Sequence, residues 1–168
     1  MKSAFLSFFL LSCFAWRTVV AAYPDPLPGT DIKMGAPTVV YNADLKKYFL
    51  FGTGKFIPYY ASPSITGPWT NQGVLMPNGT KVGLEGGYWA PDCRRSPSQL
   101  YVCYYSISNL GSQTSVIGVT SSPSMLPGTW TDHGRVIRSD PSLDYNASAL
   151  FLLTSAIYPF TYYHIPYT

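Results

Sequence analysis

Tyr88-Trp89-Ala90-Pro91-Asp92 is the stretch from which the fold of this chain is read, because the residues after it repeat, in order, those before it. Behind it come a short turn, the strand-like Leu100-Tyr101-Val102-Cys103-Tyr104-Tyr105, the strand-like Ser115-Val116-Ile117-Gly118-Val119-Thr120, then Ser122-Pro123-Ser124 and Gly128-Thr129-Trp130-Thr131-Asp132-His133-Gly134. Ahead of it the same train begins at Gly35-Ala36-Pro37-Thr38 and continues through Tyr48-Phe49-Leu50-Phe51 and Ile57-Pro58-Tyr59-Tyr60-Ala61. It closes with Ser62-Pro63-Ser64 and Gly67-Pro68-Trp69-Thr70-Asn71-Gln72-Gly73. Pro37 and Pro91 are 54 residues apart, Pro63 and Pro123 are 60, and Trp69 and Trp130 are 61. A four-strand unit recurring at such an interval marks the blades of a β-propeller.

Composition agrees with an all-β chain. Of 168 residues 46% are hydrophobic, 16% aromatic and only 11% charged, and 14 Gly with 15 Pro favour tight turns over helices. Apolar and polar side chains alternate in runs such as Lys47-Tyr48-Phe49-Leu50-Phe51, whereas no long segment holds a period of 3.6.

Met1-Lys2, the apolar residues 4–14 and the small residues Val20-Ala21-Ala22 predict a secretory signal over residues 1–22, too short to span a bilayer. Removing it takes Lys2 and Arg17 from the 11 basic side chains, leaving nine against eight acidic ones. That balance forms no basic stripe and argues against nucleic acid as a partner. With the signal gone, nothing in the sequence calls for a membrane. Cys13 leaves as well, and the remaining Cys93 and Cys103 flank a turn centred near Ser98. They read either as a cross-strand disulfide or as two buried thiols. Asn78-Gly79-Thr80 and Asn146-Ala147-Ser148 are glycosylation sequons. The chain is accordingly expected to be extracellular.

Residues 23–32 carry Pro24, Pro26 and Pro28 and are expected to be an extended lead-in. Residues 33–147 would hold blades one and two, with strands at 33–41, 46–51, 57–61 and 69–75 in the first. In the second, a loop at 106–114 separates the second and third strands. Residues 148–168 contain no Asp, Glu, Lys or Arg. A surface blade does not normally lack charge, so this stretch reads as a truncated or aberrant tail holding at most the start of a third blade.

Several motifs resemble glycoside hydrolase family 43, and in particular the fungal endo-1,5-α-L-arabinanases. They are Phe51-Gly52-Thr53-Gly54, Trp89-Ala90-Pro91-Asp92, Tyr104-Tyr105-Ser106, Gly111-Ser112-Gln113-Thr114-Ser115-Val116-Ile117-Gly118, Pro127-Gly128-Thr129-Trp130-Thr131-Asp132-His133-Gly134 and Asp144-Tyr145-Asn146-Ala147. The resemblance implies a five-bladed propeller, of which this chain would supply about two blades, and inverting cleavage of arabinan in plant pectin or of a related pentose polysaccharide. Inversion uses an acid and a base on opposite faces of the sugar, helped here by a third carboxylate that raises the acid's pKa. The matching base position is occupied by Ala36, which accepts no proton. No carboxylate follows Tyr145-Asn146-Ala147, and the acid glutamate would lie beyond Thr168. No catalytic carboxylate is intact by this reading, so hydrolysis should be weak or absent, and a non-catalytic carbohydrate-binding relative or a non-functional truncated product are the alternatives. The resemblance implies no organic cofactor and no metal ligands here; a cavity metal such as calcium enters through the resemblance alone.

Substitute carboxylates are few. Asp31 is expected to cap a turn and Glu85, the only glutamate, to be solvated. Asp92 fits the family motif and should serve sugar or catalytic groups, or else accept hydrogen bonds from backbone. Asp132 and His133 read as polarity at a turn and sheet edge. Trp89 is the main substrate-binding candidate, since an indole stacks on the apolar face of a sugar while its N–H seeks an acceptor. Phe56, Asn109 and Leu110 are weaker candidates for the same mouth, and Trp69 and Trp130 are expected to pack the last strands.

Overall fold

The computed structural model describes Thr30 and residues 32–147. The signal at 1–22, nearly all of the lead-in at 23–32 with Asp31, and the tail at 148–168 with its start of a third blade lie outside the described residues. What is described is all-β, with eight strands: β1 Thr38–Asn42, β2 Lys47–Phe51, β3 Pro58–Ser62, β4 Thr70–Val74, β5 Gly87–Arg95, β6 Tyr101–Ser108, β7 Ser115–Ser122 and β8 Thr131–Ser139. They form two antiparallel meanders of four, in the orders β1-β2-β3-β4 and β5-β6-β7-β8.

The departures from the expected strand limits have local causes. The first strand starts at Thr38 rather than near Lys33, because Gly35 and Ala36 bend the chain and Ala36 has φ 41°. The third starts at Pro58, since Phe56 and Ile57 both have positive φ, 62° and 59°. β6 runs to Ser108 instead of stopping at Tyr105, so the loop before β7 shrinks to residues 109–114. Ile107 explains the extension: it is fully buried and pairs with Val116 on one side and Tyr88 on the other.

The repeat extends to fine detail. Between β3 and β4 the register slips after Tyr59, which faces Gly73, while Tyr60 faces Asn71; between β7 and β8 Val119 faces Gly134 and Thr120 faces Asp132. Each is a bulge whose glycine has positive φ, 93° at Gly73 and 82° at Gly134. Each glycine N–H donates to the side chain two residues earlier, Asn71 at 2.6 Å and Asp132 at 3.3 Å. Ser62 and Ser122 close the third strand of each sheet alike, each hydroxyl accepting from the N–H of Ser64 or Ser124 at 3.1 Å.

The core lies between the sheets. Alternation in β2, β3 and β6 sends Phe49, Phe51, Tyr59, Tyr101, Cys103 and Tyr105 into one cluster. Trp130 packs there too, but against the neighbouring sheet rather than its own last strand: its ring meets Phe51 edge-on at 5.8 Å and Tyr59 at 6.4 Å. Cys93 and Cys103 face each other across β5 and β6 and are joined by a disulfide, with Cα atoms 4.0 Å apart. At the end of the β1–β2 turn the Asn42 amide donates to Ser124 O at 2.9 Å and Arg95 pairs with Asp44 at 3.1 Å, so this end of the interface is pinned.

Candidate functional site

The first strands of the two sheets, β1 and β5, lie side by side, and their openings are tied together by Thr53. Its N–H donates to Gly35 O at 2.9 Å, and its hydroxyl accepts from Ala90 N–H at 3.1 Å. Gly54 N–H adds a bond to Tyr88 O at 3.1 Å. The Phe51-Gly52-Thr53-Gly54 segment is thus a clamp that holds Gly35-Ala36-Pro37 and Tyr88-Trp89-Ala90 at one end of the molecule. Beside it opens a concavity of about 320 Å³ lined by residues 53–55 and 86–89.

Trp89 forms one wall and is 36% exposed, with its indole N–H donating to Ser108 O at 3.0 Å. That bond fixes the ring while leaving part of it open, the arrangement a sugar-stacking platform needs. Gly87 is required here by close approach: a Cβ at this position would stand 2.7 Å from Trp89 Nε1. Lys55 brings the only charged side chain of the lining, its Nζ 5.1 Å from the centre of the Phe56 ring.

A bulge at Ala90-Pro91 separates the pairs Trp89 with Ser106 and Asp92 with Tyr104. It puts Trp89 and Asp92 on the same face of the second sheet, although an odd spacing would otherwise set them on opposite faces. Asp92 is partly buried and bonds Arg94 Nη2 at 3.3 Å. Both lie on the face turned away from the core, since Cys93, the residue after Asp92, points into it. Ala36 is exposed and offers only a methyl group where the resemblance would place a base.

Of the weaker candidates, Phe56 packs edge-on against Tyr88 at 5.2 Å and supports the core rather than the open lining. Asn109 is exposed and donates to the backbone oxygen of Glu85 at 3.4 Å, holding the crossing loop, while Leu110 is 94% exposed on the loop beyond it. The Glu85 side chain is exposed. His133 sits at the second bulge with Nε2 2.7 Å from Ser121 Oγ.

Asp132 is much more than edge polarity. Its carboxylate accepts from Tyr105 OH at 2.6 Å, Lys81 N–H at 2.6 Å, Thr80 OH at 3.1 Å and Gly134 N–H. These bonds fasten the crossing loop between the sheets to β8 and β6. Burial, reinforced by the acceptor carboxylate of Asp132, pushes the Tyr105 phenol well above its ordinary value. Beside this network a second concavity of about 410 Å³ lies between residues 75–81 and 128–132, with Trp130 in its wall. Exposed Asn78 stands at its lip, whereas the half-buried Asn146 side chain accepts from Ser115 and Ser139 hydroxyls and donates to Ser112 O.

Among the described residues no three His, Cys, Asp or Glu side chains converge to hold a metal ion, so a cavity metal has no ligand set among them. Thr53, Lys55 and the hub role of Asp132 escaped the reading of the sequence. For Thr53 a signal existed, since it stands inside a motif already singled out; for Asp132 the partners come from 27 to 52 residues away in sequence and leave no local pattern.

No protein-family model matches the chain. Over 110 residues it is 46% identical to a probable arabinan endo-1,5-α-L-arabinosidase C of Aspergillus flavus, a match covering 64% of this chain and 35% of the relative. The α-L-arabinanase of Cellvibrio cellulosa, solved in complex with arabinohexaose, superposes with a TM-score of 0.62 at 29% identity, covering 70% of this chain and 39% of that one. A family 43 endo-arabinanase from Bacillus licheniformis gives 0.62 at 28% identity, covering 70% and 42%. The chain thus spans about 35% of the length of the first curated relatives it matches. Over the matched stretch it is a relative of the fungal arabinan endo-1,5-α-L-arabinosidases and of the glycoside hydrolase family 43 arabinanases.

Proposed function

We propose that this chain is part of a secreted, inverting glycoside hydrolase that acts on α-1,5-linked arabinan, and that its own residues bind the polysaccharide while hydrolysing it weakly or not at all. The two sheets are read as adjacent blades of a five-bladed propeller, with β1 and β5 innermost. The observation that carries the reading is the clamped end of these two strands, where Trp89 offers a fixed, part-open indole and Ala36 stands at the position of the base. Among the described residues only Asp92 brings a carboxylate to the Trp89 face of the bulge, and one carboxylate cannot serve as both acid and base on opposite faces of a sugar. Secretion is supported by residues 1–22 and by the Cys93–Cys103 bond, which suits an oxidising compartment.

Titration calorimetry of linear arabino-oligosaccharides into the protein, with reducing-sugar release followed in parallel, tests this. Binding heat with release near the uncatalysed rate is the expected result. Rapid release would overturn the weak-hydrolysis reading, and the absence of heat would remove the binding role.

A further inference from the structure

We propose that Asn78, and not Asn146, is an N-glycosylation site, and that its glycan is attached before the crossing loop closes on β8. This rests on secretory entry, which belongs to the functional reading above. Two sequons are present, and the fold treats them in opposite ways. Asn78 is exposed on the turn that Gly79 N–H closes onto Met76 O at 3.0 Å, with Gly79 at φ 84°. Its side chain lines the larger concavity and makes no hydrogen bond among the described residues, so a sugar on Nδ2 breaks none. The Asn146 amide nitrogen instead donates to Ser112 O at 3.4 Å while its oxygen takes two serine hydroxyls, an arrangement a glycan would break.

The order of events follows from Thr80. Transfer forms a bond between Asn78 Nδ2 and the anomeric carbon of an oligosaccharide carried on a polyprenyl pyrophosphate. The bond from that carbon to the pyrophosphate oxygen breaks, its electron pair leaves with the lipid pyrophosphate, and Nδ2 gives up one proton. The acceptor must present the hydroxyl two residues on, which is why the sequon requires Ser or Thr there. In the folded chain that hydroxyl is taken: Thr80 Oγ1 lies 2.5 Å from Tyr105 OH and 3.1 Å from Asp132, and accepts from Val82 N–H at 3.3 Å. Once the loop docks, the acceptor is present but its recognition element is withdrawn. The smaller concavity beside Trp89 shares no lining residue with the larger one, so the glycan's attachment point lies outside the proposed binding site.

The test drives the chain through a eukaryotic secretory pathway from a heterologous leader, so that failure here is separable from failure of the arabinan reading. Glycopeptide mapping of secreted and retained material should find one glycan, lost in N78Q and kept in N146Q. A glycan on Asn146, or none on Asn78, overturns the assignment. Next, chain made without glycans is offered to purified oligosaccharyltransferase and lipid-linked oligosaccharide, either folded or unfolded by reduction and alkylation. The unfolded form should be modified at least about tenfold faster; equal rates overturn the order, and modification of neither overturns the site.

Discussion

Tyr59 shows at the residue scale how a buried polar atom sets both stability and its pH dependence. The side chain is fully buried, its ring stacks on Phe51 at 5.5 Å, and among the described residues its hydroxyl makes no well-formed hydrogen bond, the equally unpaired Trp130 N–H giving only a weak contact that partly offsets burial. Burial pushes the phenol up to about 12. Between the ordinary phenol value near 10 and that raised value, the unfolded tyrosine ionises while the folded one stays protonated. The unfolded state then binds fewer protons, and stability falls as pH rises through this window. Tyr59→Phe removes a stranded hydroxyl and should raise stability at neutral pH by about 1 kcal/mol. Urea unfolding between pH 8 and 11 should also show a shallower alkaline decline in the variant, and an unchanged slope would show that Tyr59 is not its source. Trp89 belongs to the same scale: Trp89→Ala should weaken arabino-oligosaccharide binding about tenfold or more, measured by calorimetry. Trp89→Phe, which keeps a flat ring, should recover most of it.

Among the elements, the bulges at Gly73 and Gly134 help set how β4 and β8 pair with β3 and β7. Gly73 has φ 93°, and a Cβ there would meet nothing within 4 Å, so Gly73→Ala isolates the backbone penalty from any clash. We expect a loss of about 1 kcal/mol, read by denaturant unfolding with m unchanged. The strands themselves were legible in the sequence because alternation in residues such as Phe49 and Phe51 is local, and the repeat was legible because Trp69 and Trp130 come at matching intervals. What depends on distant partners was not. Asp132 looks like a turn residue until Tyr105, Thr80 and Lys81 are brought to it, and Trp130 looks like a residue of its own sheet until Phe51 and Tyr59 are placed opposite. The ends of β1 and β3 were misjudged for a third reason. Positive φ at Ala36, Phe56 and Ile57 is a conformation that none of these residue types announces.

For the whole molecule, stability comes from one interface between two sheets, and within the second sheet the Cys93–Cys103 bond ties β5 to β6. The bond closes a loop with a sequence separation of 10 residues. Loop-closure entropy assigns it about 3 kcal/mol, a large share of what a chain with one modest core has available. The double variant C93S/C103S should therefore lose about that much, and reducing agent should destabilise the native chain but not the variant. Beyond the interface, the first sheet turns Val39 and Tyr41, 44% and 50% exposed, to solvent on its outer face.

Ala36 and Ala90 occupy the same place in the two repeats, each before a proline, with φ 41° and 43°. Such angles are uncomfortable for alanine and easier for aspartate or asparagine, whose short polar side chains bond locally. The backbone at position 36 therefore suits aspartate or asparagine better than the alanine it carries, and an acidic side chain could be placed there without rebuilding the loop. Ala36→Asp should leave thermal stability unchanged or slightly higher, as scanning calorimetry would show: relief of backbone strain, not a new contact, would set the sign.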